Sequence, residues 1–152
     1  MNHEEVIIHE QKNVSRKKKE YKQTTTSMIC AVKAKYFRKV NDYERAKLQY
    51  EKAVKYGSRD PEIHINLGKL YEREEKMMDA ALCYQTVISC DPEYFDGYHY
   101  LEKICVVYKD KEILEKSEQF LKDKLKLGLG VKRIKHSLEV IQNNKNKLPF
   151  QG

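Results

Sequence analysis

The chain has 152 residues, which is enough for one domain with a buried core. Its 6 glycines, 3 prolines and 35% charged residues favour helices over a sheet-rich or collagen-like chain. The formal net charge is +7, and no apolar run approaches the roughly 20 residues that a membrane-spanning helix needs, so membrane insertion is not expected.

The first 26 residues are predicted to be a basic N-terminal extension, extended or partly helical. Its run RKKKEYK (Arg16–Lys22) could be a nuclear signal or a contact with nucleic acid or an acidic surface, or simply a solvated charge run. The apolar segment Val6–Ile8 is too short for a signal-peptide core, so we expect a cytoplasmic or nuclear protein. His3 and His9 are six residues apart, which does not fit a zinc-binding pair on one helical face.

From residue 27 to residue 128, small and apolar residues recur every 34 positions. Within one period, two amphipathic segments are separated by a short polar break, as at Glu74–Lys76. A period of this length is typical of helix–turn–helix repeats, and the sequence predicts three such units. The matching pairs are Ala34 with Gly68, Phe37 with Tyr71, Ala46 with Ala80, Tyr50 with Tyr84, Ala53 with Val87 and, more weakly, Leu67 with Leu101 and Val87 with Leu121.

The pattern resembles the tetratricopeptide repeat (TPR) family, and the resemblance covers about two-thirds of the chain. Unit two, 61–94, is closest to the family pattern, with its Leu-Gly pair, its spaced Tyr and Ala residues and its closing Asp-Pro. Unit one, 27–60, keeps the turn sequence NDYERA but has Lys33 where leucine is usual. Unit three, 95–128, is degenerate, with Glu102 in place of the small residue. The resemblance implies an all-α, antiparallel helix-pair solenoid.

Residues 129–146 are predicted to form a capping helix, because the end of a repeat array needs a polar outer face. Gly128 and Gly130 are suitable helix-breaking residues just before it. Residues 147–152 are predicted to be a flexible tail. The apolar stripe of the capping helix consists of Val131, Ile134, Leu138 and Ile141, and the basic residues off that stripe are Lys132, Arg133 and Lys135.

In the TPR family, the first helix of each unit lines a concave face that binds partners. The resemblance implies a basic groove here, which suits an extended partner segment with acidic groups. The alternative is that these lysines form only a solvated face. The predicted partner-binding residues are Lys35, Arg38, Asn66, Lys69, Arg73, His99, Tyr100 and Lys103. The predicted basic flank consists of Arg16, Lys17, Lys18, Lys19, Lys132, Arg133 and Lys135.

Some members of the family grip the C-terminal carboxylate of Hsp90 or Hsp70 with basic and amide side chains. Asn66 matches one asparagine of that clamp, but Ala31 and Lys35 stand where the family has Lys and Asn. Asp96 and Tyr100 stand where it has Lys and Lys or Arg. An acid at residue 96 would repel the carboxylate, so we do not expect this chain to use the clamp.

No motif for catalysis, a cofactor or a metal ion is present in the sequence. It has no Gly-rich phosphate loop and no GxSxG segment. Its four cysteines form no CxxC pair, so reduced and partly buried thiols are expected rather than a zinc site or disulfides. We therefore expect a protein that is not an enzyme and holds no cofactor and no metal ion.

The leading hypothesis is a non-catalytic adaptor, or a scaffold subunit of a larger assembly, that binds a partner protein. The alternative is an RNA-associated or ribonucleoprotein-associated helical-repeat protein that uses its basic termini. Residues 61–94 carry three basic and seven acidic side chains, and no residue code for reading bases is visible, which weighs against sequence-specific RNA recognition. Whether the groove, the convex face or the N-terminal segment makes the main contact stays open.

Overall fold

The computed structural model describes residues 2–148, which form seven α-helices and no strands. The chain divides into two compact units, Met1–Ser58 and Arg59–Gly152. None of the described helices combines the length and the apolar character needed to cross a membrane. The helices are α1 (His3–Lys39) and α2 (Tyr43–Lys55) in the first unit, and α3 (Pro61–Arg73), α4 (Met77–Cys90), α5 (Phe95–Tyr108), α6 (Lys111–Lys126) and α7 (Val131–Lys145) in the second.

The first unit is one helix pair in which α1 has 37 residues and α2 has 13. Asn2 begins α1 with a capping box, because its side chain accepts from the Glu5 backbone while the Glu5 carboxylate accepts from the Asn2 backbone. Small residues form the contact between the helices, with Ala34 and Ala46 both fully buried. The Ser27 hydroxyl adds a hydrogen bond of 3.0 Å to the Ala53 carbonyl.

Helix α1 includes residues 3–26, the segment expected to be extended or partly helical. The extended alternative is not what the structure shows. No glycine or proline occurs before Gly57, so nothing in the sequence interrupts the helix that Asn2 caps.

The second unit contains two further helix pairs and α7 around one hydrophobic core. Gly68 of α3 lets the ring of Tyr84 approach, since a Cβ at residue 68 would lie 2.6 Å from the Tyr84 Cε1 atom. Gly97 of α5 likewise faces Val87 and Ile88 of α4. The largest fully buried side chains of this core are Tyr84, Tyr98, Ile88, Leu101, Ile104, Leu114, Leu121, Ile134 and Ile141.

The turn inside each helix pair contains a non-glycine residue with positive φ. These residues are Asn41 (61°), Glu75 (60°) and Lys109 (51°), and they are spaced 34 residues apart. In the first two turns, the backbone N–H after this residue donates to a carbonyl at the end of the preceding helix: Asp42 to Phe37 and Lys76 to Tyr71, both at 2.9 Å. The 34-residue period is thus visible in the backbone as well as in the side chains.

Helix α7 packs on α5 and α6. Gly128 and Gly130 have φ of 74° and 60°, so the turn before α7 uses a conformation that favours glycine. Val131, placed on the apolar stripe by its spacing, is exposed, whereas Ile134, Leu138 and Ile141 are buried. Val131 is the first residue of the helix, which is why it lies beyond the packed surface.

The Glu118 carboxylate fastens α7 to α6. It is nearly buried and accepts hydrogen bonds from Lys122 on its own helix at 2.6 Å and from Lys145 on α7 at 3.0 Å. These lysines, Lys122 more than Lys145, lower the pKa of Glu118 to about 2. Of the predicted flexible tail, residues 149–152 lie outside the described part of the chain, and Leu148 is half-buried against the core.

Candidate partner-binding face

Helices α3, α5 and α7 of the second unit present a row of cationic and aromatic side chains. We call this row the cation–aromatic face. It consists of Lys69 and Glu72 on α3, Phe95, His99, Tyr100 and Lys103 on α5, and Arg133 on α7.

Tyr100 lies at the centre of the cation–aromatic face. Its ring stacks on Tyr84 with a centroid distance of 5.2 Å and an interplanar angle of 24°, so the fully buried Tyr84 fixes its position. The Lys69 ammonium lies 4.5 Å from the centroid of the Tyr100 ring, and the Lys103 ammonium lies 5.9 Å from it. Both lysines are exposed, so their charges remain open to solvent beside an aromatic surface.

Glu72 reduces the basic character that the sequence predicts for this face. Its nearly buried carboxylate accepts from the Tyr84 hydroxyl at 2.5 Å and from Lys103 at 2.9 Å. Burial and the bond to Glu72 hold the pKa of Tyr84 well above its usual value, so the phenol stays protonated and donates. The Lys103 charge is therefore already compensated, whereas within residues 2–148 no carboxylate forms an ion pair with Lys69.

Arg133 extends the face to the capping helix. Its guanidinium lies 4.2 Å from the Phe95 ring centroid and 3.9 Å from the Glu102 carboxylate. Phe95 in turn stacks on His99 with a centroid distance of 6.0 Å, and both rings are exposed. The sequence predicts Arg133 as part of the basic flank; in the structure only 30% of its side chain is exposed, because it packs against Phe95 and Tyr98 of α5.

The remaining predicted partner-binding residues have different surroundings. Asn66 is only 6% exposed, so its amide is not open to a partner in this structure. Arg73 is exposed in the last turn of α3. Lys35 is half-buried and Arg38 is exposed, and both belong to α1 of the first unit. Of the eight predicted partner-binding residues, the structure thus brings four together on the cation–aromatic face: Lys69, His99, Tyr100 and Lys103.

The predicted basic flank is divided between the two units. In α1, Arg16 pairs with Glu20 at 3.6 Å, and Lys17, Lys18 and Lys19 are exposed. In α7, Lys132 and Lys135 are exposed.

Sequence reasoning missed three residues that shape the face: Phe95, Glu102 and Ser137. The only signal was Glu102 itself, an acid at a position where the repeat has a small residue. Its carboxylate is 15% exposed, pairs with Arg133 and accepts a short hydrogen bond from the Ser137 hydroxyl. The partners are more than 30 residues away in sequence, so the spacing of apolar residues does not reveal them.

Within residues 2–148 no three His, Cys, Asp or Glu side chains are grouped as metal ligands would be. Within the described residues none of the four cysteines forms a disulfide bond, and Cys105 is fully buried. Burial raises the pKa of the Cys105 thiol to about 11, so it stays protonated at neutral pH.

No protein-family model matches the sequence, and no curated protein matches it. Among solved structures, the chain is similar to one described as the first TPR of Spaghetti (RPAP3) bound to the HSP90 peptide SRMEEVD. The TM-score is 0.52 and the sequence identity 17%, and the match covers 79% of this chain and 93% of that chain. At this identity the likeness concerns the fold, and it confirms the architecture that the 34-residue period predicts. The chain has an all-α TPR fold, built of helix pairs followed by a capping helix.

Proposed function

We propose that the chain is a non-catalytic adaptor that binds an extended partner segment with acidic groups on the cation–aromatic face. The observation that carries this proposal is the exposed Lys69 ammonium held 4.5 Å from the Tyr100 ring centroid. A carboxylate of the partner can pair with Lys69, while an apolar side chain next to it can cover the neighbouring rings. The proposal includes a role as a subunit of a larger assembly in the cytoplasm or the nucleus.

The similar solved structure supports a peptide as the partner. That TPR is described as bound to the HSP90 peptide SRMEEVD, which contains three acidic residues. For this chain we propose an acidic segment other than a chaperone C-terminus. Asp96, at a position where the carboxylate clamp has lysine, is exposed and would repel a terminal carboxylate.

Site-specific photo-cross-linking in the native cell tests the proposal. A photoreactive amino acid at His99 lies on the cation–aromatic face, and the same amino acid at Leu82, exposed on α4, is the matched control. We expect a cross-linked protein partner from position 99 and none from position 82. The added substitution Lys69→Glu should lower the cross-linking yield by about tenfold, because it replaces an attraction with a repulsion.

Circular dichroism of the Lys69→Glu chain should remain unchanged, since Lys69 is exposed. An undiminished yield with Lys69→Glu would rule out the pairing of the partner with Lys69, and the absence of a cross-link from position 99 would rule out this face as the binding surface. Cross-links to RNA, with capture that falls steeply as salt is raised, would instead favour the nucleic-acid alternative. That alternative is motivated by the exposed lysines Lys17, Lys18 and Lys19 on α1.

A further inference from the structure

Helix α1 has a second apolar face that the first unit does not cover. At about 100° per residue, the side chains buried against α2 (Ser27, Cys30, Ala31 and Ala34) lie on one side of the helix. On the opposite side runs a row of apolar residues that are each between 41% and 77% exposed. We call this row the outer stripe; it consists of Ile7, Val14, Tyr21, Met28, Ile29, Val32 and Tyr36.

The N-terminal two-thirds of α1 lacks packing within its own unit. Burial in α1 begins only at Ser27, and every described residue before Thr26 is exposed apart from the half-buried Val6 and Asn13. A helix in water gains most of its stability by packing an apolar face on another element. The outer stripe extends through this segment, which indicates that the missing packing partner lies along the stripe.

The charges along α1 favour a second copy in antiparallel orientation. Acids lie near the start of the helix, at Glu4, Glu5 and Glu10, and bases lie near its end, at Lys33, Arg38 and Lys39. In an antiparallel pair centred near Tyr21, the acidic start of each copy faces the basic end of the other.

The same register brings apolar residues of the outer stripe together. Ile7 lies opposite Tyr36 of the second copy, Val14 lies opposite Ile29, and Tyr21 lies beside the two-fold axis. The basic run at residues 16–19 faces the uncharged residues 24–27. In a parallel pair, the basic run of one copy would instead face the basic run of the other copy, so that like charges repel each other.

We propose that the chain forms an antiparallel homodimer through the outer stripe of α1. The contact would extend from residue 7 to residue 36, or about 45 Å at 1.5 Å per residue. This proposal does not depend on the cation–aromatic face, which belongs to the other unit.

Analytical ultracentrifugation of the full chain tests the dimer. We expect the wild-type chain to sediment as a dimer, and Val32→Glu to raise its dissociation constant by about 100-fold, because a carboxylate in the stripe loses its hydration. Leu48→Glu, at a residue of α2 that is also about half exposed, is the matched control and should leave the dimer intact. Circular dichroism shows whether each variant remains helical.

A wild-type chain that stays monomeric at several hundred micromolar would overturn the proposal, and the stripe would then belong to a different partner. So would a dimer that Val32→Glu leaves intact, or one that Leu48→Glu weakens equally.

Disulfide cross-linking tests the orientation. In the antiparallel dimer, Tyr21→Cys places two engineered thiols beside the two-fold axis, and Ile7→Cys places them far apart. We expect oxidation to link the Tyr21→Cys chains and not the Ile7→Cys chains, with the wild-type chain as the baseline for its four natural cysteines. Cross-linking of both variants would show a parallel pair, and cross-linking of neither would place the contact elsewhere; either result contradicts the proposal.

Discussion

Gly68 shows how a single residue sets the distance between two helices. A Cβ at this position would lie 2.6 Å from Cε1 and 2.8 Å from Cζ of Tyr84. The Tyr84 ring has little freedom to move, since it is fully buried, stacks on Tyr100 and donates to Glu72. The absence of a side chain at residue 68 therefore leaves room for the Tyr84 ring, which in turn positions Tyr100 of the cation–aromatic face.

The substitution Gly68→Ala should lower the free energy of unfolding by about 2 kcal/mol, because the added methyl group must displace the Tyr84 ring. Chemical denaturation followed by circular dichroism measures the change. Ser89→Ala, at an exposed position of α4, is a control in which no such loss is expected. If Gly68→Ala and the wild type have equal free energies of unfolding, then α3 and α4 can move apart to admit the methyl group without loss of stability.

Glu118 links the stability of the second unit to pH. Its pKa is lowered from 4.5 to about 2 in the folded chain, so the folded state favours the ionised carboxylate. This stabilisation is complete above pH 4.5 and is lost as the pH falls towards 2. Its size is on the order of 3 kcal/mol, given about 1.4 kcal/mol per pKa unit and the partial exposure of both lysines.

The substitution Glu118→Gln should therefore destabilise the chain at pH 7 and have much less effect near pH 2. Denaturation curves at a series of pH values measure this difference. Glu112→Gln removes a carboxylate that forms an exposed ion pair with Lys116 on the same helix, and it should change stability by less than about 1 kcal/mol. A difference between Glu118→Gln and wild type that is the same at pH 7 and near pH 2 would contradict the lowered pKa.

At the residue scale, the sequence predicts packing better than polar contacts. Gly68 and Ala80 are recognisable because their positions repeat every 34 residues and their small size has a packing reason. The pairs of Glu72 with Lys103 and Glu102 with Arg133 join residues that are 31 apart in sequence. Such pairs depend on which helices are neighbours and on side-chain rotamers, and one sequence does not determine either.

At the scale of elements, the three positive-φ residues in the turns offer a further test. Glu75 has φ of 60°, a conformation that costs about 1–2 kcal/mol for a residue with a Cβ and little for glycine. Glycine also gains entropy in the unfolded chain, so Glu75→Gly should stabilise the second unit by only about 0.5–1 kcal/mol.

A matched control for Glu75→Gly is the preceding residue. Glu74 has φ of −90°, which any residue adopts, so Glu74→Gly should lower the stability. Thermal unfolding followed by circular dichroism measures both variants. If both substitutions destabilise the chain, the left-handed conformation of residue 75 carries no measurable strain.

Element boundaries were predictable where helices bury a face. The helix pairs between residues 27 and 128 follow the spacing of buried residues, and the helix after Gly130 follows the next apolar stripe. No residue from 3 to 26 is fully buried, so the apolar spacing of this segment does not predict the long helix that the structure shows. Its cap at Asn2 and the absence of helix breakers were the available signals.

At the scale of the whole molecule, the TPR fold was predictable because the 34-residue period appears in many residues at once. The arrangement of the candidate partner-binding residues was less predictable. The eight predicted partner-binding residues belong to two compact units, with Lys35 and Arg38 in the first and the other six in the second. Contacts with Tyr100 join Lys69, His99 and Lys103 into one surface. Phe95 and Arg133 extend that surface, and the groove prediction did not include either of them.

The proposed dimer through α1 would also change the avidity with which the protein binds a partner. A dimer formed along the outer stripe would carry two cation–aromatic faces on one particle. Two weak contacts with a repetitive or multivalent target then act together, because binding of one face raises the effective concentration of the other. The proposed adaptor would in this way gain avidity from α1 without any additional contact at the cation–aromatic face.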